Sequence, residues 1–512
     1  VEALSGRINP FSGEKINTPL LPKDITRLDF SLGDNSVVGY AQLQERKGSE
    51  WAAVPHQALI LGKAPGLVEA ADAPGLNHQE ETESGLPKIL RALTKAECGS
   101  AFVYWQQEKG LLWLGGDRYG LKPFYYYHHK GEFAFSTNLQ WLVKTSKRKF
   151  SVNYSAVSQF LCLRHLFGDE TLFRGIRRVP QGELLRFFAA EGKLHFIPFF
   201  NYLSLQPDPR VTFEQVLVEG PDRFTAALER QLNGASKVVL PLSGGYDSRM
   251  IACGLHRLGV DLLTYTTHKD YGLTTDTVAA AAVAALLGAT HHNIPLPTNY
   301  FARFHQRKCR LVQFETSYHP WIVNLLSSMP EEPFPCFDGL GGDACLGGSE
   351  ITAQFWELWP KERYKQFEKI YFRWYKTGFE SLVCPKYHRE INVLARKKVV
   401  AEIDRIKGNP NGLIYLGLRN FTRRAISLST FGILGHNRPV RTPFLDYAFF
   451  EWSLTIPVPL KIQDKVYSHL FQNYTKETSA IPTTHQPSDG STIFRNHLNF
   501  GANTPTVFTW QK

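Results

Sequence analysis

A run near the middle of the chain, Val238-Val239-Leu240-Pro241-Leu242-Ser243-Gly244-Gly245-Tyr246-Asp247-Ser248-Arg249, carries the residue types that hold phosphate. An apolar, β-branched stretch feeds two adjacent glycines, which let backbone amides come close to a ligand. Ser243 and Ser248 add hydroxyl donors. A helix starting after the glycines would offer unpaired N–H groups and the positive end of its dipole, an anion site in its own right. Asp247, set beside phosphates, suits magnesium better than phosphate, because a carboxylate is a hard oxygen ligand. The same residues also read as an ordinary glycine turn joining a strand to a helix.

Such a loop needs a strand before it and a helix after it. Ser236 to Leu242 is a short β-rich run, and the apolar stretch through Leu258 has helical character. Leu262 to Thr267 predicts a second strand, and the alanine-rich Thr277 to Leu287 a second helix. Strand and helix in alternation predict a parallel sheet covered by helices. The first half of the chain differs. Gly99 to Trp105, Gly110 to Leu114, Phe124 to Tyr127 and Glu132 to Ser136 are short aromatic and aliphatic runs separated by turn residues, which predicts strands. The change of character falls at Gln206-Pro207-Asp208-Pro209-Arg210, so two domains are expected, 1–208 and 209–512. Ala353 to Ile406 is helical in pattern and crowded with aromatic and basic residues.

Composition narrows the classes. A chain of 512 residues exceeds one ordinary core. With 43% hydrophobic and 21% charged residues it is globular rather than disordered. No window approaches about 18 consecutive apolar residues, so no membrane span is expected. Val1-Glu2-Ala3-Leu4-Ser5 lacks the basic start and apolar core of a secretion signal, and none is expected. The 7 cysteines are scattered, and none forms a C-x-x-C pair, which points away from zinc and disulfide frameworks and toward the reducing cytoplasm. The net charge of +11 is spread along the chain with no nucleic-acid motif beside it, so no nucleic-acid partner is expected.

Taken together, the motifs resemble the asparagine synthetase family nearly end to end. Ser-Gly-Gly-x-Asp-Ser at 243–248 is similar to the pyrophosphate loop of the ATP pyrophosphatases. Asp338-Gly339-Leu340-Gly341-Gly342-Asp343 resembles the family's second glycine-rich loop, and Arg441-Thr442-Pro443-Phe444-Leu445-Asp446 its Arg-x-Pro-Phe-Leu-Asp element. Asp276 and Thr290-His291-His292 match the region after the second strand. Gly116-Asp117-Arg118-Tyr119-Gly120-Leu121-Lys122-Pro123-Phe124-Tyr125-Tyr126 resembles a segment of the family's glutaminase domain. The resemblance implies an α/β protein: a class II glutamine-amidotransferase-like α/β/β/α sandwich, degenerate in its chemistry, then a doubly wound α/β ATP-pyrophosphatase domain with helical cover. It implies ATP and Mg2+ as cofactors. Leu242, Ser243, Gly244, Gly245, Asp247, Ser248, Thr266 and Gly341 would take ATP and pyrophosphate, Asp247 and Asp343 the metal, and Lys465 the pyrophosphate charge during catalysis.

Three departures from the family pattern matter. A glutaminase needs an N-terminal cysteine, whereas the sequence opens on Val1 and its first cysteine is Cys98, so glutamine hydrolysis is not expected. Family members carry a polar residue where Leu340 stands, and leucine accepts no proton. Glu315, His319 and Glu350 lie near these loops in sequence but read as surface or structural residues. About twenty residues past Lys465 the family has a second lysine, and here the residue is His485. Protonated, it would stabilise an oxyanion; neutral, it would serve as a base; it also reads as a plain loop histidine.

The expectation is an ATP-dependent ligase that adenylates a carboxylate, releases pyrophosphate and forms an amide or lactam with an amine not drawn from glutamine. Peptide macrolactam formation of the lasso type and β-lactam-like cyclisation are both open, and the substrate is a small molecule or peptide carrying carboxylate and amine. The competing reading is a non-catalytic nucleotide-binding scaffold with a degenerate synthetase site. The sequence leaves the oligomeric state open.

Overall fold

In the computed structural model, residues 98–484 are described apart from 107–108, 147, 269–274 and 349–350, together with four strands nearer the N-terminus. His485 and Glu350 therefore lie outside the described residues. The chain divides into two compact units. Residues 1–157, 166–202 and 313–316 form the first, and 158–165, 203–312 and 317–512 the second.

The first unit holds two antiparallel sheets. One runs in the order β2 (Thr26–Leu32), β3 (Asn35–Ala41), β1 (Leu4–Ile8), β8 (Glu132–Ser136), β7 (Tyr125–His129), β9 (Ile176–Arg178). The other runs β11 (Lys193–Pro198), β10 (Glu183–Phe188), β6 (Leu111–Gly116), β5 (Ala101–Gln106), β4 (Ala58–Leu61). Side chains alternate across a strand, and the aromatic runs divide accordingly. Tyr126, Phe133 and Phe135 join Val103, Leu112, Leu114 and Phe187 in a core between the sheets. Tyr125, Tyr127 and Ala134 face the other way and pack with Leu139 and Leu142 of the helix Leu139–Thr145. The hairpin between β7 and β8 turns at Lys130 and Gly131, with φ of 49° and 79°, the doubly left-handed geometry of a two-residue turn.

The second unit is built on a five-stranded, wholly parallel sheet. Its order is β14 (Thr290–Pro295), β13 (Asp261–His268), β12 (Lys237–Pro241), β15 (Cys336–Phe337), β16 (Val440–Arg441). Val238, Val239 and Leu240 are fully buried, as a central strand covered on both faces requires. From β12 the chain steps outward through the helix Tyr246–Arg257 to β13, and through the helix Thr275–Leu286 to β14. It then returns to the opposite side of β12 to form β15. That reversal opens a crevice at the carboxyl ends of β12 and β15, where such sheets bind ligands. Helices at Ala353–Leu358, Tyr364–Tyr375 and His388–Ile406 account for the helical stretch read from the sequence. Among the described residues no helix is long and apolar enough to cross a membrane.

Candidate functional site

β12 ends at Pro241, and Leu242 to Gly245 lead into the helix Tyr246–Arg257. The loop is held from behind by β13. Leu242 N–H donates to the Tyr265 carbonyl at 2.9 Å, and the Thr266 hydroxyl donates to the Leu242 carbonyl. Within the loop, Ser243 N–H donates to Ser248 Oγ at 3.0 Å, and Gly245 N–H to Ser243 Oγ at 3.2 Å. Gly244 N–H donates to Asp276 Oδ1 at 2.8 Å. Backbone donors are not left unpaired in a folded chain, and here the loop's hydroxyls and Asp276 satisfy them. A phosphate would take these amides over from groups of the protein itself.

The second glycine segment leaves β15. Asp338 N–H donates to the Arg441 carbonyl of β16 at 2.9 Å, and the Asp338 carboxylate accepts from Leu340 N–H at 3.0 Å and Thr430 Oγ1 at 3.1 Å. Gly341 sits at φ 97°, and a Cβ there would stand 2.5 Å from Leu445 Cγ, so both conformation and space demand glycine. Gly339 and Gly342 lie against Asp247. A Cβ on Gly339 would be 2.5 Å from the Asp247 Cβ, and one on Gly342 would overlap the Asp247 carboxylate. The glycines thus bring the second segment onto the first loop. Leu340 is buried and packs. Asp343 is exposed, in the first turn of the short helix Gly342–Leu346.

Asp247 receives a hydrogen bond from the Tyr467 hydroxyl, on the helix Lys465–Tyr474. Burial pushes the Asp247 carboxyl up to about 7; the Tyr467 bond works against this, and the charges of Asp338 and Asp464 add to it. Burial also raises Asp338. The Tyr467 phenol is held well above its ordinary value, first by burial and then by the charges of Asp247 and Asp343. Both candidate metal ligands therefore act on one phenol. A carboxylate raised by burial and by neighbouring carboxylates, as Asp247 is, gains from a divalent cation beside it. Among the described residues no group of three or more His, Cys, Asp or Glu could hold a metal ion alone. Magnesium is commonly held by one or two carboxylates plus substrate phosphate oxygens. Asp247 and Asp343 fit that share, so the donor chemistry suits a metal that arrives with phosphate.

Lys465 and Tyr467 are two residues apart on one helix and so cannot share a face. Tyr467 turns toward Asp247, whereas Lys465 is exposed, its ammonium 4.9 Å from the centre of the Phe213 ring. Tyr467 escaped sequence reading because only the direction of the helix face singles it out. Thr484, the last described residue, donates its N–H to the Gly244 carbonyl at 2.9 Å. Asp446 caps the helix Tyr447–Thr455 and pairs with Arg230 at 2.6 Å, a structural use of the Arg-x-Pro-Phe-Leu-Asp element. Glu315 is fully buried in the first unit and accepts from the Tyr125 hydroxyl at 2.9 Å, which makes it a packing residue there.

The family model for asparagine synthase matches residues 220–478, and the model for a glutamine amidotransferase domain matches residues 90–197. The chain is 22% identical over 431 residues to asparagine synthetase (glutamine-hydrolyzing) 3 of Bacillus subtilis, across 76% of this chain and 67% of that one. It is 28% identical over 198 residues to a Methanocaldococcus jannaschii protein named for the same activity, across 36% of this chain and 38% of that one. Among solved structures, the allosteric regulatory enzyme of purine biosynthesis aligns at 11% identity over 57% of this chain and 74% of that one. Its TM-score is 0.22, too loose a superposition to bear on the fold.

Proposed function

The chain belongs to the asparagine synthase family, and we propose that it is an ATP-dependent ligase that activates a carboxylate and joins it to an amine. The observation that carries this reading is the meeting of the 242–248 loop with the 338–343 segment, with Asp247 gripped between Gly339, Gly342 and Tyr467. In the reaction a substrate carboxylate oxygen attacks the α-phosphorus of ATP, pyrophosphate leaves, and the amine displaces AMP from the acyl-adenylate. The loop amides of Ser243, Gly244 and Gly245 would bind the leaving pyrophosphate once it displaces the hydroxyls and Asp276 from them. Magnesium, when bound, supplies charge neutralisation on the phosphate oxygens. Asp247 and Asp343 would hold it, and Tyr467 would orient the Asp247 carboxylate. We assign Lys465 to the pyrophosphate charge and His485 to the oxyanion or to the amine proton.

Leu340 is buried and apolar, which leaves no proton acceptor at that point of the loop. Whatever deprotonates the amine must then stand elsewhere, and we propose an amine carried by the substrate itself, with a lactam or peptide macrolactam as the product, made in a reducing cytoplasm. The test is exchange of labelled pyrophosphate into ATP with a panel of amino acids and peptides. Each positive acid is then incubated with ammonia, with glutamine, or with neither, and the product is weighed. A product that has lost one water with no nitrogen source supports ring closure. A product that needs ammonia or glutamine shows an intermolecular amide and removes the lactam reading. Tight Mg-ATP binding without exchange for any acid would leave the scaffold reading in its place.

A further inference from the structure

One cation beside the phosphate loop has no part in the chemistry proposed above. Arg249, on the helix that follows the loop, is buried. Its Nη1 donates to the Ile481 carbonyl at 2.8 Å, and its Nη2 donates to the Pro482 carbonyl at 2.9 Å and to the Gly244 carbonyl at 3.2 Å. One guanidinium therefore grips the loop and a segment more than two hundred residues away in sequence. The segment reaches further onto the same glycine. Thr484 N–H donates to the Gly244 carbonyl at 2.9 Å, and Thr483 Oγ1 reaches that carbonyl at 3.3 Å. Thr484 Oγ1 donates to Asp276 Oδ1 at 2.8 Å, the oxygen that also accepts the Gly244 N–H. A Cβ on Gly244 would stand 2.7 Å from Thr484 Cγ2, so the glycine is what admits the segment.

We propose that Arg249 is a positioning residue that ties the Ile481–Thr484 segment to the phosphate loop, making segment docking and nucleotide binding one coupled equilibrium. The proposal rests on the phosphate-loop reading and deepens it. Gly244 loses more conformational freedom on ordering than any other residue type would. With the segment docked, Arg249 and Thr484 have already fixed its carbonyl, so a phosphate meets a loop set in advance. When phosphate takes the Gly244 amide, Asp276 keeps the Thr484 hydroxyl as its donor. Coupling of this kind is reciprocal: whatever docking gives to nucleotide affinity, nucleotide gives to docking. Three carbonyls around one side chain call for the planar fork of arginine, which lysine lacks.

The test is amide hydrogen exchange across residues 478–484 of the full chain, with and without Mg-ATP, alongside calorimetric Mg-ATP affinity. In the wild type, Mg-ATP should slow exchange in this segment about tenfold. In Arg249→Lys, exchange without nucleotide should quicken about tenfold and Mg-ATP affinity fall by a similar factor, the scale of a lost charge-assisted hydrogen bond. Thr484→Ala leaves Arg249 in place and should move both readouts the same way by less, which keeps the test decisive should Arg249→Lys not fold. A purely structural role for Arg249 would lower the melting temperature and leave nucleotide-induced protection intact, and that result overturns the proposal. Wild type that binds Mg-ATP with no change in the segment overturns the coupling alone. Wild type that binds no Mg-ATP overturns the nucleotide reading, and the nucleotide-free comparison then decides the anchoring.

Discussion

At the scale of single residues, the carboxylates at the loop junction decide whether this is a nucleotide site. Asp247→Asn and Asp343→Asn each remove a hard charged oxygen from the proposed metal side of the phosphates. Each should weaken Mg-ATP binding about tenfold or more by calorimetry, the worth of one charged contact; unchanged affinity in both would remove the pocket assignment. His485 is the residue we propose for the second half-reaction. His485→Ala should lower amide formation about 100-fold, the usual scale for an oxyanion donor or acid–base group, while pyrophosphate exchange survives; equal loss of both would show that the histidine is not confined to the amine step. Lys461 offers a check on the interior beside the site. It is fully buried, donates to the Ser453 carbonyl at 2.6 Å, and burial lowers its ammonium to about 7. Since the unfolded chain binds the extra proton between about 7 and 10.5, stability from this group is full above the upper value and lost as pH falls toward the lower. Melting temperatures of wild type and Lys461→Met, taken from pH 7 to 9.5, should show wild type gaining on the variant as pH rises. A constant gap would mean that Lys461 stays charged in the folded protein.

At the scale of elements, glycines rather than charges set the junction. Gly341 needs its left-handed backbone and has Leu445 against it, and Gly342 has the Asp247 carboxylate where a methyl would go. Gly342→Ala must push Asp247 or the segment away, and overpacking of this kind costs about 1–3 kcal/mol. The expected result is a folded protein with a lowered melting temperature and Mg-ATP binding weakened at least as far as in Asp247→Asn. Gly408→Ala is the control, because open space surrounds that glycine, although its φ of 79° carries backbone strain alone. A Gly342→Ala protein that binds Mg-ATP like wild type would show that the two loops need not touch. In the first unit an element of the same economy is Asp117, buried and accepting from the N–H groups of Gly99, Tyr119, Leu121 and Lys122. Burial raises its carboxyl and those hydrogen bonds oppose the rise, so one side chain ties the Gly116–Lys122 turn.

At the scale of the whole molecule, the cysteines are told apart by their burial. All 7 are free, with Cys162, Cys253, Cys336 and Cys345 buried and Cys384 exposed. A thiol reagent should label Cys384 quickly in the native protein and reach the four buried thiols only in denaturant. Cys384→Ser should remove the fast phase; a fast phase that persists would place another thiol at the surface. The four buried cysteines serve as small apolar packing residues.

The sequence by itself determined the local pieces. Glycine pairs, a carboxylate after them, β-branched runs and aromatic runs each have a local cause, so the strands β12 and β13, the helix between them and β5 to β8 of the first unit were legible as spacing, whereas β1 to β4 and β9 to β11 were not read. The family followed from motif order, and asparagine synthase matches 220–478. What stands opposite what was decided only in three dimensions. β12 neighbours β15 because the chain reverses direction in the sheet after β14; no spacing announces that, and it alone sets Asp247 against Gly339 and Gly342. Tyr467 rather than Lys465 faces Asp247 because a rotation of two residues on a helix separates their faces. Thr484 meets Gly244, and Arg249 meets Ile481 and Pro482, across contacts that local propensity cannot encode. Local chemistry specifies which groups the chain carries, and the packing of distant segments around a shared core specifies which of them meet.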